Sequence, residues 1–296
     1  MMPKKLLIID SSALFHRSRA ALTRTMGEMI TSSGVPVTGT FGFLNALFSI
    51  MTKYDYDCVI PCAEGGNNWR KKEPDSEYKA TRQSGESAHY IDQDMLLEEV
   101  LPGLGMNVVK APGFEADDVI AHISRHSFAY EEIHILTSDK DLFQLVTERV
   151  RVLLFSSLKK MELVGIDEVV ADFKVYPSEV KYHKALAGDS SDNVAGLKGV
   201  GPKTAVKIIE DSRLTGVNTE FSVADRICLH PKVKDNAAVF LANLRLVDLG
   251  NDVPDLAWFA SSAPDKVHVE AVFLWLEFSS FLKRKIKIFE ALKCTE

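Results

Sequence analysis

Apolar residues in the first half of the chain gather into four short unbroken runs. They are "KLLIID" (Lys5–Asp10), "DCVIPC" (Asp57–Cys62), "MNVVKAP" (Met106–Pro112) and "EIHILTSD" (Glu132–Asp139). Runs of this length, apolar on both sides, read as strands buried on both faces. Helical spacing fills the gaps: "FGFLNALFSIMTKY" follows the first run, "IDQDMLLEEVLPGLG" precedes the third, "EADDVIAHISRH" follows it, and "DKDLFQLV" follows the fourth. A further strand, "RVRVLLF", extends the set. Strands alternating with helices predict an α/β fold with a mostly parallel central sheet covered by helices on both faces.

From about Gly165 the pattern becomes helical, in "IDEVVADF", "PSEVKYHKALAG", "TAVKIIED", "NAAVFLANLRLVDLG" and "HVEAVFLWLEFSSFLKRKIKIF". The expected organisation is therefore an α/β core over residues 1–164 and a helical lobe over 165–296, whose last helices return to pack on the core. One connection is unusual. "GGNNWRKKEPDSEYKATRQSGESAHY", Gly65 to Tyr90, is long, polar and basic at its start, and connections of this kind are usually functional or unstructured.

The 296 residues suffice for one large domain, or a main domain with a smaller lobe, and 46% apolar content supplies a sizeable core. No signal peptide or membrane span is visible, since the first apolar run stops at Asp10. The four cysteines form no CxxC pair, so a reducing, cytoplasmic setting is expected. His122 and His126 are four residues apart, but no catalytic Glu follows His122, and they read as surface histidines. The net charge of −6 disfavours a nucleic-acid partner only weakly, because local distribution outweighs the sum.

Ligands of open parallel sheets bind beyond the carboxyl ends of the strands. The first run here ends in Asp10, the third runs into Glu115-Ala116-Asp117-Asp118, and the fourth ends in Asp139 with Asp141 two residues on. Each Asp alone could be an ordinary helix N-cap. Three junctions together supply more acids than capping needs, and so many carboxylates in one crevice must bind protons or cations. All-oxygen donors select Mg²⁺, Mn²⁺ or Ca²⁺, and room for two such ions suits phosphodiester hydrolysis.

A second stretch, "GDSSDNVAGLKGVGPKTAVKII" (Gly188 to Ile209), adds Asp189 and Asp192 and then a glycine-bracketed turn. Gly199 and Gly201 would permit close helix–helix approach and present backbone N–H groups to phosphate, with Lys198, Lys203 and Lys207 alongside. Together these make a helix-hairpin-helix candidate over about residues 185–211. In the polar connection, Arg70, Lys71, Lys72, Lys79 and Arg82 would clamp phosphates, with Trp69 and Tyr78 stacking on bases.

At this level of detail the chain resembles the 5′-nucleases: phage 5′→3′ exonucleases, flap endonucleases and the N-terminal nuclease domain of bacterial DNA polymerase I. The blocks that carry the resemblance are "IIDSSALFHRS", "WRKKEPDSEYKATR", "GFEADDVIA", "TSDKDLFQLV", "GDSSDNVAGLKGVGPKTA" and "LEFSSFLKRK", in family order. The resemblance implies a PIN-like core, a helical arch over about residues 65–95, and cleavage of DNA, or of RNA in a hybrid, near a 5′ end at a flap, fork or nick. It implies two Mg²⁺ ions, with Mn²⁺ as a substitute. The first matches Asp10, Glu115 and Asp117. The second matches Asp118, Asp139, Asp141 and Asp192, with Asp189 near it. Lys79 and Arg82 would touch the scissile phosphate, and the hairpin would bind duplex DNA and hold K⁺.

The sequence departs from the family at one point. Where an Asp usually ends the second strand stands Cys62, followed by Ala63 and Glu64. A thiol is a poor Mg²⁺ ligand, so either Glu64 reaches the site or water fills the slot, and the reading leans to Glu64. Two alternatives accompany the nuclease: a non-catalytic branched-DNA binding protein disabled at Cys62, and an RNase H-type primer-removing nuclease. No polymerase segment follows, so a free-standing monomer of phage or bacterial origin is expected. A replication polymerase or a single-strand binding protein are compatible partners.

Overall fold

The computed structural model describes residues 4–72, 78–79, 87–157, 160–214, 221–256 and 263–293. Strand β1 (Lys5–Asp10) leads into α1 (Ser11–Met26), and α2 (Thr38–Tyr54) leads into β2 (Cys58–Cys62). Helix α3 (Ser87–Met95) runs through a π-helical turn (Leu96–Val100) into the short α4 (Leu101–Gly103). Then come α5 (Ala116–His126), β3 (Glu132–Thr137), a 3₁₀ turn (Lys140–Leu145), β4 (Val150–Ser157) and β5 (Lys160–Val164). The helical half comprises α6 (Ile166–Phe173), α7 (Val180–Ala187), a two-strand hairpin β6 (Gly188–Asp189) and β7 (Val194–Ala195), and α8 (Pro202–Leu214). It continues with α9 (Val223–Leu229), α10 (Ala237–Val247), α11 (Lys266–Trp275), α12 (Ser279–Lys283) and α13 (Lys285–Ala291).

The main sheet has strand order β2-β1-β3-β4-β5. Its first three pairings are parallel and the β4–β5 pairing is antiparallel. The two-residue pleat of β1 divides the core. Leu6 and Ile8 join Ile60, Ile133, Ile135 and Val152 under α5 and the lobe helices. Leu7 and Ile9 join Val59, Leu136 and Leu153 under α2 and α11–α13. On that second face Phe281 stacks on Phe41 at 5.0 Å and meets Phe48 edge-on at 5.5 Å, so the last helices belong to the same core as the first strand.

Three elements depart from the sequence reading. Met106–Pro112 is not a strand: Val109 makes a single parallel bridge to Cys62. Its ladder is two bonds long, Val109 N to Pro61 O and Ala63 N to Val109 O, before Pro112 and the positive-φ Gly113 turn the chain away. Helix α1 was hidden behind the first run, although Asp10 caps it and Leu14, Phe15, Ser18 and Leu22 form its buried stripe. The antiparallel β5 was also unforeseen, its alternating burial being too short to stand out.

At the amino-terminal edge of the sheet, His134 is buried between two partners. Tyr56 Oη lies 2.6 Å from Nδ1 and Glu132 Oε1 lies 2.8 Å from Nε2. A neutral ring places its proton on Nε2, facing the Glu132 acceptor, and Tyr56 then donates to Nδ1. Burial lowers the His134 pKa despite the nearby Glu132 charge. The unfolded chain then binds a proton at a pH where the native state does not, so stability falls as pH drops below about 6.5. Between about pH 7.5 and 5.5 the denaturant midpoint of the wild type should fall relative to that of His134→Asn; a constant difference would show that His134 does not titrate on unfolding.

Candidate active site

The register of the sheet sets the site. Asp10 ends β1 directly beside Cys62 of β2, and Thr137 at the end of β3 donates its hydroxyl to Asp10 Oδ2 at 2.8 Å. The other Asp10 oxygen caps α1 through Ala13 N at 3.0 Å. Asp139 caps the following 3₁₀ turn, accepting from Asp141 N at 2.9 Å. Helix α5 opens in the same place. Glu115 is its N-cap, and Asp118 reaches back to Glu115 N at 3.2 Å.

Asp10, Asp117 and Asp139 face one another. Burial raises the pKa of Asp117 well above the carboxylate range, and the charges of Asp10 and Asp139 add to it. Burial also raises Asp10, against its hydrogen bonds, with Asp139 pushing the same way. Glu64 sits at the rim of the crevice, and desolvation together with the Glu115 charge pushes it up to about 7. Among the described residues, nine acids (Asp10, Glu64, Glu115, Asp117, Asp118, Asp139, Asp141, Asp189 and Asp192) meet three cations there, Arg70, Lys79 and Lys184. The donors are hard oxygens and the excess is negative, so the residues present fit divalent cations such as Mg²⁺ or Mn²⁺. Oxygens of Asp141, Asp189 and Asp192 lie within 4.8 Å of one another, close enough to share an ion.

The three cations are each tied down. The Arg70 guanidinium forks onto Asp118 with bonds of 2.6 and 2.7 Å, lies 3.3 Å from Glu115, and donates through Nε to Leu246 O at 2.7 Å. Lys79 Nζ donates to Glu115 Oε1 at 2.6 Å and stands 3.8 Å from Asp192. Burial alone would raise the Glu115 pKa, but the Lys79 charge and the bonds from Lys79 and Tyr78 prevail and hold it below its ordinary value. Lys184 bridges Asp141 and Asp189, the latter at 2.7 Å.

Several expectations are corrected by this geometry. Arg70 is 1% exposed and inside a carboxylate pair, not on a DNA-facing surface. Tyr78 is also buried, its hydroxyl 2.8 Å from Glu115 and 3.0 Å from Asp192, so it does not stack on bases; Trp69 stacks on the Arg70 guanidinium instead. Asp118 gives both oxygens to Arg70 in this structure. Gly199 and Gly201 do not serve close packing, since a Cβ at either would meet nothing within 4 Å; Gly199 is required by its φ of +79°. In this stretch the tight glycines are Gly188 and Gly196, and a Cβ on Gly196 would lie 2.3 Å from Ala187 O. Cys62 is fully buried, and desolvation first, then Asp10 and Asp117, raise its thiol pKa, so no thiolate forms there.

Lys198, Lys203 and Lys207 are exposed along the hairpin and the start of α8, and Lys71 is exposed near Arg70. The side chain of Lys72, and Arg82 with most of the expected arch, lie outside the described residues. Sequence reasoning missed Lys184, one turn upstream of Asp189 and Asp192 on α7; a Lys leading into two aspartates was the available signal.

A buried carboxylate crevice at the carboxyl edge of a parallel sheet, with a lysine-lined helix-hairpin-helix beside it, defines a phosphodiester-hydrolysing nuclease. The 5′-3′ exonuclease N-terminal resolvase-like domain matches residues 5–174, and the 5′-3′ exonuclease C-terminal SAM fold matches residues 175–266. The chain belongs to the 5′-3′ exonuclease family. It is 34% identical over 220 residues to a 5′-3′ exonuclease of Bacillus subtilis (strain 168), covering 70% of each chain. It is 30% identical over 284 residues to the thermostable DNA polymerase I of Thermus aquaticus, covering 94% of this chain and 32% of that one. Its fold is that of the T5 D15 protein co-crystallised with metal ions, with a TM-score of 0.64 at 19% identity over 96% of this chain and 99% of that one. Among the described residues no helix is long and apolar enough to cross a membrane.

Because Asp118 is buried, removing its partner strands a charge. Arg70→Ala should destabilise the protein by about 3–5 kcal/mol in chemical denaturation. A variant of unchanged stability would return Arg70 to the role of surface phosphate clamp.

Proposed function

We propose that Asp10, Glu115, Asp117 and Glu64 hold one divalent cation, and Asp139, Asp141, Asp189 and Asp192 a second, to cleave DNA near a 5′ end at a flap, fork or nick. Mg²⁺ is the resident ion in this reading and Mn²⁺ its substitute. The observation that carries it is the mutual repulsion of Asp10, Asp117 and Asp139, which cations relieve. Bound there, the ions would supply an activated water and neutralise charge building on the phosphate oxygens. Glu64 stands in for the acid missing at Cys62.

The chain's own groups do the positioning. Burial works against the Lys79 ammonium, but Glu115, Asp192 and Asp117 outweigh it and keep the group charged at the crevice. Lys79 is thereby set to meet a phosphate oxygen as charge develops on it. Tyr78 spans Glu115 and Asp192 and fixes the distance between the two carboxylate groups. Lys198, Lys203 and Lys207 take the duplex backbone together with the N–H groups of the Gly199–Gly201 turn, where a K⁺ ion also belongs in this reading.

On a 5′-flapped duplex, EDTA should abolish cleavage, and Mg²⁺ or Mn²⁺ should restore it; cleavage surviving chelation would defeat the metal reading. Glu64→Gln should raise the Mg²⁺ concentration for half-maximal rate by about tenfold or more, with Cys62→Ala close to wild type, and the opposite ranking would give the slot to Cys62. Lys79→Ala should slow the single-turnover rate more than it weakens DNA binding; an unchanged single-turnover rate would remove Lys79 from the chemistry. Lys203→Ala should weaken binding evenly across sequences and lower the salt slope by about 1, whereas an unaltered slope would place the duplex elsewhere.

A further inference from the structure

Away from the acidic crevice, the last turn of α5 carries a second group of metal-type ligands. His122 and His126 lie on one helix face, their rings stacked with centroids 4.2 Å apart. Asp252, from the loop that follows α10, approaches both: its Oδ1 is 3.5 Å from His122 Nδ1 and 3.9 Å from His126 Nε2. One ligand atom from each of the three residues falls within 4.8 Å of the other two.

We propose that His122, His126 and Asp252 form a transition-metal site, with Zn²⁺ as the preferred ion. Four-coordinate Zn²⁺ with bonds of about 2.0–2.1 Å separates its ligand atoms by roughly 3.3–3.4 Å. The observed 3.5 and 3.9 Å are near that spacing, and rotation of the stacked side chains, with no backbone movement, would aim both ring lone pairs at one ion. The proton placement also suits an ion. His126 Nδ1 donates to the His122 carbonyl at 2.9 Å, which puts the lone pair on Nε2, the atom facing Asp252. Imidazole nitrogen selects zinc, nickel or copper over the magnesium that the all-oxygen crevice prefers.

Two neighbours compete with the ion, and neither blocks it. The Val253 amide donates to His122 Nδ1 at 3.2 Å, a long bond that an ion would replace. Arg125 donates to Asp252 Oδ1 at 3.1 Å, but the same guanidinium is anchored on Leu249 O and Asn251 O at 2.6 and 2.7 Å. It thus orients the carboxylate, whose Oδ1 keeps a second lone pair with which to meet an ion. Helix α5 lies in the first matched region of the chain and Asp252 in the second, so an ion here pins one to the other.

Co²⁺ is the probe, added to the full-length chain in excess Mg²⁺. Nitrogen-ligated, low-coordinate Co²⁺ absorbs visible light far more strongly than an octahedral all-oxygen complex, which separates this site from the crevice. The expected result is an intense visible band that saturates with a single ion per chain. His126→Gln and Asp252→Asn should each weaken that binding by about tenfold or more, and Asp139→Asn in the crevice should leave it intact. His126 and Asp252 are 40% and 61% exposed, so neither substitution opens the core. As an independent readout, Zn²⁺ should raise the unfolding temperature of the Asp139→Asn protein and not that of its double variant with His126→Gln. Absence of the band, its survival in both site variants, or its loss in Asp139→Asn would overturn the proposal.

Discussion

Crowding of like charge at one sheet edge governs this molecule. Asp10, Asp117 and Asp139 are brought together by the register of β1 and β3 and by the opening turn of α5, at positions where each carboxylate raises the energy of its neighbours. The surrounding structure can be read as a set of answers to that repulsion. Thr137 and Ala13 donate to Asp10, Arg70 cancels Asp118, Lys79 cancels Glu115, and Lys184 lies between Asp141 and Asp189. Repulsion persists within the innermost group, and that excess of negative charge suits the crevice to a cation.

The fold supplies the rigidity that such crowding demands. Both faces of the sheet are packed, one by α5 and the lobe helices and the other by α2 with α11–α13, so the strand ends cannot splay to relieve the strain. The hairpin β6–β7 is held as firmly. Gly188 and Gly196 let its two arms approach at backbone contact, which sets Asp189 and Asp192 against the crevice. The same hairpin leads into the lysine-bearing turn and α8, so the arrangement that places two acids also aims the cationic surface.

Much of this could be read from the chain before its coordinates. The acids at Asp10, Glu115–Asp118, Asp139 and Asp141 follow apolar runs or open helical ones, and that local grammar is enough to send them to one edge. The run at Met106–Pro112 misled because hydrophobicity reports burial, not a hydrogen-bond ladder, and Val109 is buried with a single bridge. The cations were harder. Arg70 and Tyr78 sit in a stretch whose composition is that of a solvated loop, and only the acids that attract them, distant in sequence, take them inside. Lys184 was passed over although its partner Asp189 lies only five residues on; only its bridge to Asp141 is a tertiary fact. Cys62 was legible as an anomaly, and its full burial explains why a neutral side chain is tolerated beside Asp10.

The matched regions of the family end at residue 266, whereas the second face of the core does not. Val269, Phe273, Phe281 and Ile288 all contribute fully or nearly fully buried side chains beyond that point. A fragment cut at the family boundary would keep every acid of the crevice, yet it would lay bare Phe41 and Phe48 and the underside of β1 that carries Asp10. Domain limits drawn from sequence likeness and the limits of the cooperative folding unit are therefore different lines in this protein, and an expression boundary should follow the second.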